Sequence, residues 1–202
     1  EYLYIEADED HVSLQKGGTS CPKIVYIHEG FQEVIGEDKR HKLKNVRYIA
    51  GEYKGSWDIW KEAYEYISDN YDVENIKKIY ISGDGAPWIK AGVEYIDKSV
   101  FVLDKYHLNK YILMATGHVR KMRFELWDEI NKGQKNRVKN TLSDILMCVD
   151  SRNRANKVIE CRRYLLNNWE GIIIYNTDSK SIVGCSAEGH VSHLLSARLS
   201  SR

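Results

Sequence analysis

The sequence predicts an α/β protein, a mixed sheet with helices packed on its faces, interrupted by a basic all-helical segment before a closing helix. Three observations predict it. Five short apolar runs read as strands, the first three following one another like hairpins and the last two alternating with helices. After Leu103 the apolar spacing changes to the helical period, and from about Leu108 to Asn168 nothing reads as strand. Charge divides along the chain in the same sense. Residues 1–117 hold 15 Lys and Arg against 20 Asp and Glu, a net of −5; residues 118–163 hold 12 against 6, a net of +6; residues 164–202 hold three of each.

The elements follow in order. Strand-like runs cover Leu3 to Gln15, Lys23 to Ile35 and Val46 to Gly51. A helix follows in SWDIWKEAYEYISDNY, with Trp57, Trp60, Tyr64 and Ile67 at helical spacing behind Ser56 as its cap. Lys78 to Ser82 alternates as a buried strand, and Pro87 opens a short amphipathic stretch through Val93 and Ile96. Ser99 to Leu103 is the fifth strand. Beyond it, Val138, Leu142, Ile145, Leu146 and Val149 form one helical stripe, and Val158, Cys161, Leu165 and Trp169 form another. An apolar run from Gly171 to Tyr175 leads through NTDSKS to a last helix, capped by Ser186 and turning Val191, Leu194 and Leu195 inward. The chain thus divides into a first core segment, residues 1–111, a basic helical insertion, residues 112–170, and a return segment, residues 171–202.

Composition excludes several classes. With 202 residues and 43% hydrophobic content the chain builds a substantial core. No run of eighteen apolar residues and no leader peptide is present, so no membrane partner is expected. Cys21, Cys148, Cys161 and Cys185 show neither CxxC pairing nor regular spacing, and read as reduced, buried thiols of a cytoplasmic protein. There is no initiating Met and the first residues sit inside an apparent strand, which reads as a piece of a longer protein.

The chemistry lies in carboxylates at strand ends. Asp84 ends the fourth strand between Gly83 and Gly85, where the backbone turns sharply and bulk is kept away. Glu6, Asp8 and Asp10 share one face of the first strand by alternation, so at least one reaches the same rim. Glu188 opens the last helix. Oxygen ligands of this kind favour Mg²⁺ or Mn²⁺ over zinc. Each acid also has a plainer use: Asp84 as turn former, Glu188 as partner of the helix dipole, and Glu6 to Asp10 as an edge that discourages strand pairing. Asp104 and His107, an i, i+3 pair after the fifth strand, can hydrogen-bond, orient DNA or bind metal. His190 and His193 beside Glu188 lack the third His or Cys of a zinc site.

Four segments in this order, LYIEADEDHVSLQ, ISGDGAPWIKAG, FVLDKYHLNKYI and GCSAEGHVSHLLSARLSSR, resemble the ISLre family of bacterial insertion-sequence transposases over essentially the whole chain. That family is similar in layout to Mutator-like DDE transposases. The resemblance implies a ribonuclease H-like mixed sheet with an all-α insertion before the last catalytic helix. It implies Asp8, Asp84 and Glu188 as catalytic acids holding two Mg²⁺ or Mn²⁺ ions, with Asp10 the rival of Asp8 and with Asp104 and His107 in support nearby. The implied reaction is DNA cleavage and strand transfer by two-metal phosphoryl transfer, on double-stranded transposon ends and target, by a homo-oligomer near the bacterial nucleoid. Arg120, Lys121, Arg123, Lys135, Arg137, Lys139, Arg152, Arg154, Arg162 and Arg163 are expected to contact phosphates without reading sequence. Trp127 and Tyr164 serve either stacking on bases or the core. The rivals are a ribonuclease H-like nuclease that does not join strands, and an inactive element that only binds nucleic acid. Family members extend before Glu1 and after Arg202, which places terminal-repeat recognition mostly outside the chain.

Overall fold

The structure, a computed structural model, describes residues 1–13, 17–32 and 42–184. Glu188, His190, His193, Cys185, the Ser186 cap and the last-helix residues Val191, Leu194 and Leu195 lie outside the described residues. Two compact units are present: one holds Glu1–Phe101 and continues from Val183, the other spans Val102–Ile182.

The fold is mixed α/β. Its five-stranded sheet runs in the order β5-β4-β1-β6-β7, from β1 (Tyr2–Glu9), β4 (Lys23–His28), β5 (Arg47–Gly51), β6 (Lys78–Gly83) and β7 (Ser99–Leu103). β1 pairs antiparallel with β4 and parallel with β6, and β4 pairs antiparallel with β5. Among the described residues a small two-stranded ribbon, β2 (Val12–Ser13) with β3 (Thr19–Ser20), accompanies this sheet.

The first predicted strand is broken, and proline explains why. Tyr4 pairs with His28, Glu9 with Lys23, Val12 with Ser20 and Ser13 with Thr19, so one register runs from β1/β4 into β2/β3. At the break Asp10 N–H donates to Pro22 O at 3.0 Å. Pro22 has no N–H to return the bond, and the ladder lapses over two pairs, Asp10 with Pro22 and His11 with Cys21. Past Gly17 and Gly18, both at positive φ, the chain comes back as β3.

Alternation gives the sheet two unlike faces. Leu3, Ile5 and Ala7 of β1, Val25 and Ile27 of β4, Ile49 of β5, and Ile79 and Ile81 of β6 form an aliphatic core with helix α1 (Ser56–Asn70) and the short α2 (Pro87–Lys90) and α3 (Gly92–Tyr95). Trp60 sits at its centre, fully buried, its indole Nε1–H donating to Trp88 O at 2.7 Å. Gly92 is required beside it, because a Cβ there would lie 2.6 Å from the Trp60 ring. The expected inward stripe of α1 is corrected by rotation. The buried residues are Ile59, Trp60, Ala63 and Ile67, while Trp57 and Tyr64 are 54% and 49% exposed on one flank, Trp57 meeting Tyr95 edge-on. Gly55, not Ser56, is the N-cap, with no side-chain bond.

The second unit is helical: α4 (Lys105–Thr116), α5 (Arg120–Asn131), α6 (Lys135–Met147), α7 (Arg152–Asn167) and α8 (Trp169–Asp178). The predicted stripes meet inside it, with Val138, Leu142 and Ile145 of α6 and Val158, Cys161 and Leu165 of α7 buried. The apolar run from Gly171 to Tyr175 belongs to α8. Tyr164 stacks on Tyr111 at 3.7 Å between ring centroids, which spends its ring on packing. The expectation of buried thiols holds for Cys161 alone among the described cysteines, since Cys148 is exposed and Cys21 half-buried.

Candidate functional site

Asp8 lies near the C-terminal end of β1 and Asp84 directly follows β6, the two central parallel strands. The register pairs Ile5 with Ile81 and Glu6 with Ser82. Gly83 lies next to Ala7, close enough that a Cβ on it would stand 2.8 Å from Ala7 O and 2.8 Å from Ile89 Cδ1. Continued past the last registered pair, the same register would set Asp8 beside Asp84, with neighbouring strands about 4.8 Å apart. Asp10, two residues on, would fall opposite Ala86 in that register, so Asp8 is the better candidate for the neighbour of Asp84.

The backbone fixes both side chains. Asp8 Oδ1 accepts from Glu9 N–H at 2.8 Å, and Asp84 Oδ1 accepts from Ala86 N–H at 2.8 Å. Gly85 at φ 92° completes the turn beyond Asp84 in a conformation that glycine adopts without strain. Asp84 is therefore a turn former as well as a rim acid.

Glu6 shares their face and is used differently. It is buried at 1% exposure, accepting from the Tyr26 hydroxyl and lying 3.1 Å from His28 Nε2. Gly30 N–H donates to His28 Nδ1 at 3.0 Å, which leaves Nε2 as the nitrogen that carries the proton toward Glu6. Tyr4 stacks on His28 and on Tyr80, and Tyr26 leans on Tyr48. Glu6 thus belongs to a packed polar network, correcting its reading as an exposed edge acid. Tyr26 and His28, absent from the sequence reading, carried one signal: both alternate with Val25 and Ile27, as Glu6 does with Ile5 and Ala7.

In the helical unit Asp104 caps α4. Its Oδ1 accepts from Tyr106 N–H at 3.0 Å and its Oδ2 lies 2.9 Å from His107 Nδ1, so the predicted i, i+3 pair forms. A carboxylate only accepts, so Nδ1 carries the proton in this contact.

The profile of a family described as Uncharacterised protein family (UPF0236) matches residues 1–202. The chain belongs to the UPF0236 family. It is 54% identical over 198 residues to one UPF0236 protein of Caldanaerobacter subterraneus subsp. tengcongensis and 52% identical over 198 residues to another, covering 98% of the chain and 42% of each relative. A UPF0236 protein from the vanSb 3′ region of Streptococcus gallolyticus is 26% identical over 175 residues, covering 84% of the chain and 38% of the relative. The chain spans about two-fifths of the length of these relatives.

In this UPF0236 chain the ten basic residues singled out fall into two groups. Arg123 Nε–H donates to Thr116 Oγ1 at 2.9 Å, Arg162 to Ser143 Oγ at 3.4 Å, and Arg154 pairs with Asp150 at 2.5 Å; Lys135 sits over the Trp169 ring. These serve the bundle itself. Arg120, Lys121, Arg137, Arg152 and Arg163 are exposed and Lys139 is half-buried. Arg152, Asn156, Ile159 and Arg163 recur at helical spacing as one exposed stripe of α7. None of the described helices is long and apolar enough to cross a membrane.

Proposed function

We propose that this chain is the catalytic core of a DNA transposase with a ribonuclease H-like sheet, cutting and joining DNA strands with Mg²⁺ or Mn²⁺. What supports the reading is the parallel register of β1 and β6, which pairs Glu6 with Ser82, brings Gly83 against Ala7 and, if continued, would put Asp8 and Asp84 side by side. Two adjacent carboxylates repel unless a cation lies between them, and an all-oxygen donor pair suits Mg²⁺ or Mn²⁺. Asp8 and Asp84 would hold the ions, with Glu188 as the third acid. Bound there, the ions would supply a lowered pKa for the attacking water or DNA 3′-hydroxyl and charge neutralisation at the leaving oxygen. The chain's own part is orientation: backbone N–H groups hold Asp8 and Asp84, and the exposed cations Arg120, Lys121, Arg137, Arg152 and Arg163 neutralise DNA phosphates. Asp104 and His107 stand as a supporting pair. One relative's description joins eleven locus names from one bacterium, the multiplicity expected of a mobile element.

The test is Asp84→Asn in the full-length protein, on DNA carrying the element's ends. Cleavage and joining should fall about 10³-fold or more while circular dichroism and DNA binding are unchanged. Unchanged cleavage would overturn the proposal. Cleavage without joining of a supplied 3′-hydroxyl end would leave a nuclease, and metal-independent binding without turnover would leave a binding element.

A further inference from the structure

On the opposite face of the hairpin that carries Asp8 lies a second set of ligands, of different chemistry. Glu9 and His11 are two residues apart and share a face, while Asp8 and Asp10 take the other. The register that pairs Glu9 with Lys23 and Val12 with Ser20 sets His11 opposite Cys21. Three donors from two strands are thereby gathered at the base of the β2/β3 ribbon. One ligand atom from each of Glu9, His11 and Cys21 lies within 4.8 Å of the other two. Cys21 Sγ stands 3.5 Å from His11 Nδ1, the ring nitrogen an ion beside the thiolate would take; the 3.9 Å contact of Glu9 Oε1 is with the other nitrogen, Nε2, which would not ligate the same ion. In a tetrahedral zinc site, with Zn–S near 2.3 Å and Zn–N near 2.0 Å, the sulfur and nitrogen are about 3.5 Å apart. Lys23, the cation across from Glu9, has its ammonium over the Trp88 ring, 5.2 Å from the centroid.

We propose that Glu9, His11 and Cys21 form a binding site for a borderline-soft divalent cation of the Zn²⁺ class, with a fourth position open to water. Thiolate and imidazole select such a metal over Mg²⁺, so the site and the Asp8/Asp84 pair discriminate between ions by ligand type. The physical need is local. The β2/β3 ribbon has two residue pairs, and the ladder below it is interrupted at Pro22. A ribbon that short does not hold its own register in water, and a metal tying Cys21 to His11 and Glu9 staples it to the end of β1. The site is independent of the transposase reading, since none of its ligands belongs to the acid pair.

Cobalt is the probe that reports a thiolate ligand directly. Titrating the full-length protein with Co²⁺ should give a sulfur-to-cobalt charge-transfer band in the near ultraviolet, saturating at one equivalent and removed by Zn²⁺ but not by excess Mg²⁺. Cys21→Ser should abolish the band, His11→Ala should weaken binding about 100-fold or more, and Asp84→Asn should leave both unchanged. Zn²⁺ should also slow alkylation of Cys21 in the native protein, read by peptide mass spectrometry, which holds whether or not a variant folds. Absence of the band at millimolar Co²⁺, or its survival in Cys21→Ser, would overturn the site.

Discussion

The two faces of the central sheet are cut from the same strands and do different jobs. One is aliphatic, with Leu3, Ile5, Ala7, Val25, Ile27, Ile79 and Ile81 packed on α1. The other is aromatic and polar, with Tyr4, Glu6, Tyr26, His28, Tyr80 and Ser82 all buried, and it ends at Asp8 and Asp84. Both are closed to water, so burial does not distinguish them. The difference is direction. An aliphatic contact tolerates small rotations, whereas each buried hydrogen bond holds its partners in one geometry, so the polar face fixes the strand ends where the two acids stand.

The sharpest way to break this division is at Trp60. Trp60→Ala removes the largest fully buried side chain and its bond to Trp88 O, and should cost about 3–5 kcal/mol in urea denaturation. A loss below about 1 kcal/mol would show that stability does not reside on the aliphatic face.

Adjacent residues in β1 sharpen the comparison. Glu6→Gln keeps the size of the side chain but turns an amide N–H₂ toward donors at Tyr26 and His28, and should cost about 1–3 kcal/mol. Ile5→Val, on the other face, loses one methylene and should cost about 0.5–1.5 kcal/mol. Denaturation of both variants orders the faces; an Ile5→Val loss exceeding that of Glu6→Gln would reverse the ranking.

These contrasts mark what the sequence made legible. Strand-like alternation located β4 to β7, because side-chain period is a local property. The acid at Asp84 was visible for the same reason, as glycines on both sides of a carboxylate at a strand end form a local pattern. What stayed hidden depends on partners far along the chain. Glu6 looked like a surface acid because Tyr26 and His28 lie 20 and 22 residues away. Glu9, His11 and Cys21 showed no ligand spacing, since His11 and Cys21 become neighbours only through the hairpin register. The break of the first strand likewise required Pro22 to face Asp10. In α1 the expected stripe of Trp57, Trp60, Tyr64 and Ile67 held at Trp60 and Ile67 and failed at Trp57 and Tyr64, because Ile59 and Ala63 take the inward side beside them.

The smallest effect belongs to charge that lies on neither face. Glu29, just past β4, accepts from Lys44 Nζ at 2.8 Å and from Asn45 Nδ2 at 2.7 Å, and its carboxyl is held below its ordinary value first by Lys44 and then by Asn45, against the opposing effect of burial. The Tyr71 hydroxyl faces the same carboxylate, and is itself pushed up by burial first, then by Tyr66 and Glu29. A group whose folded pKa is depressed contributes stability above its unfolded value, about 4.3 for Glu, and loses it as pH falls through the folded value. Lys44 is more than half exposed, so solvent screens the pair and Glu29→Gln should cost about 1 kcal/mol or less near neutral pH. The variant should also flatten the acid limb, measured as urea midpoints from about pH 3 to 7. Parallel pH curves for the two proteins would move the acid sensitivity to other carboxylates, and a loss as large as that of Glu6→Gln would mean that the turn after β4 is held as tightly as the polar face.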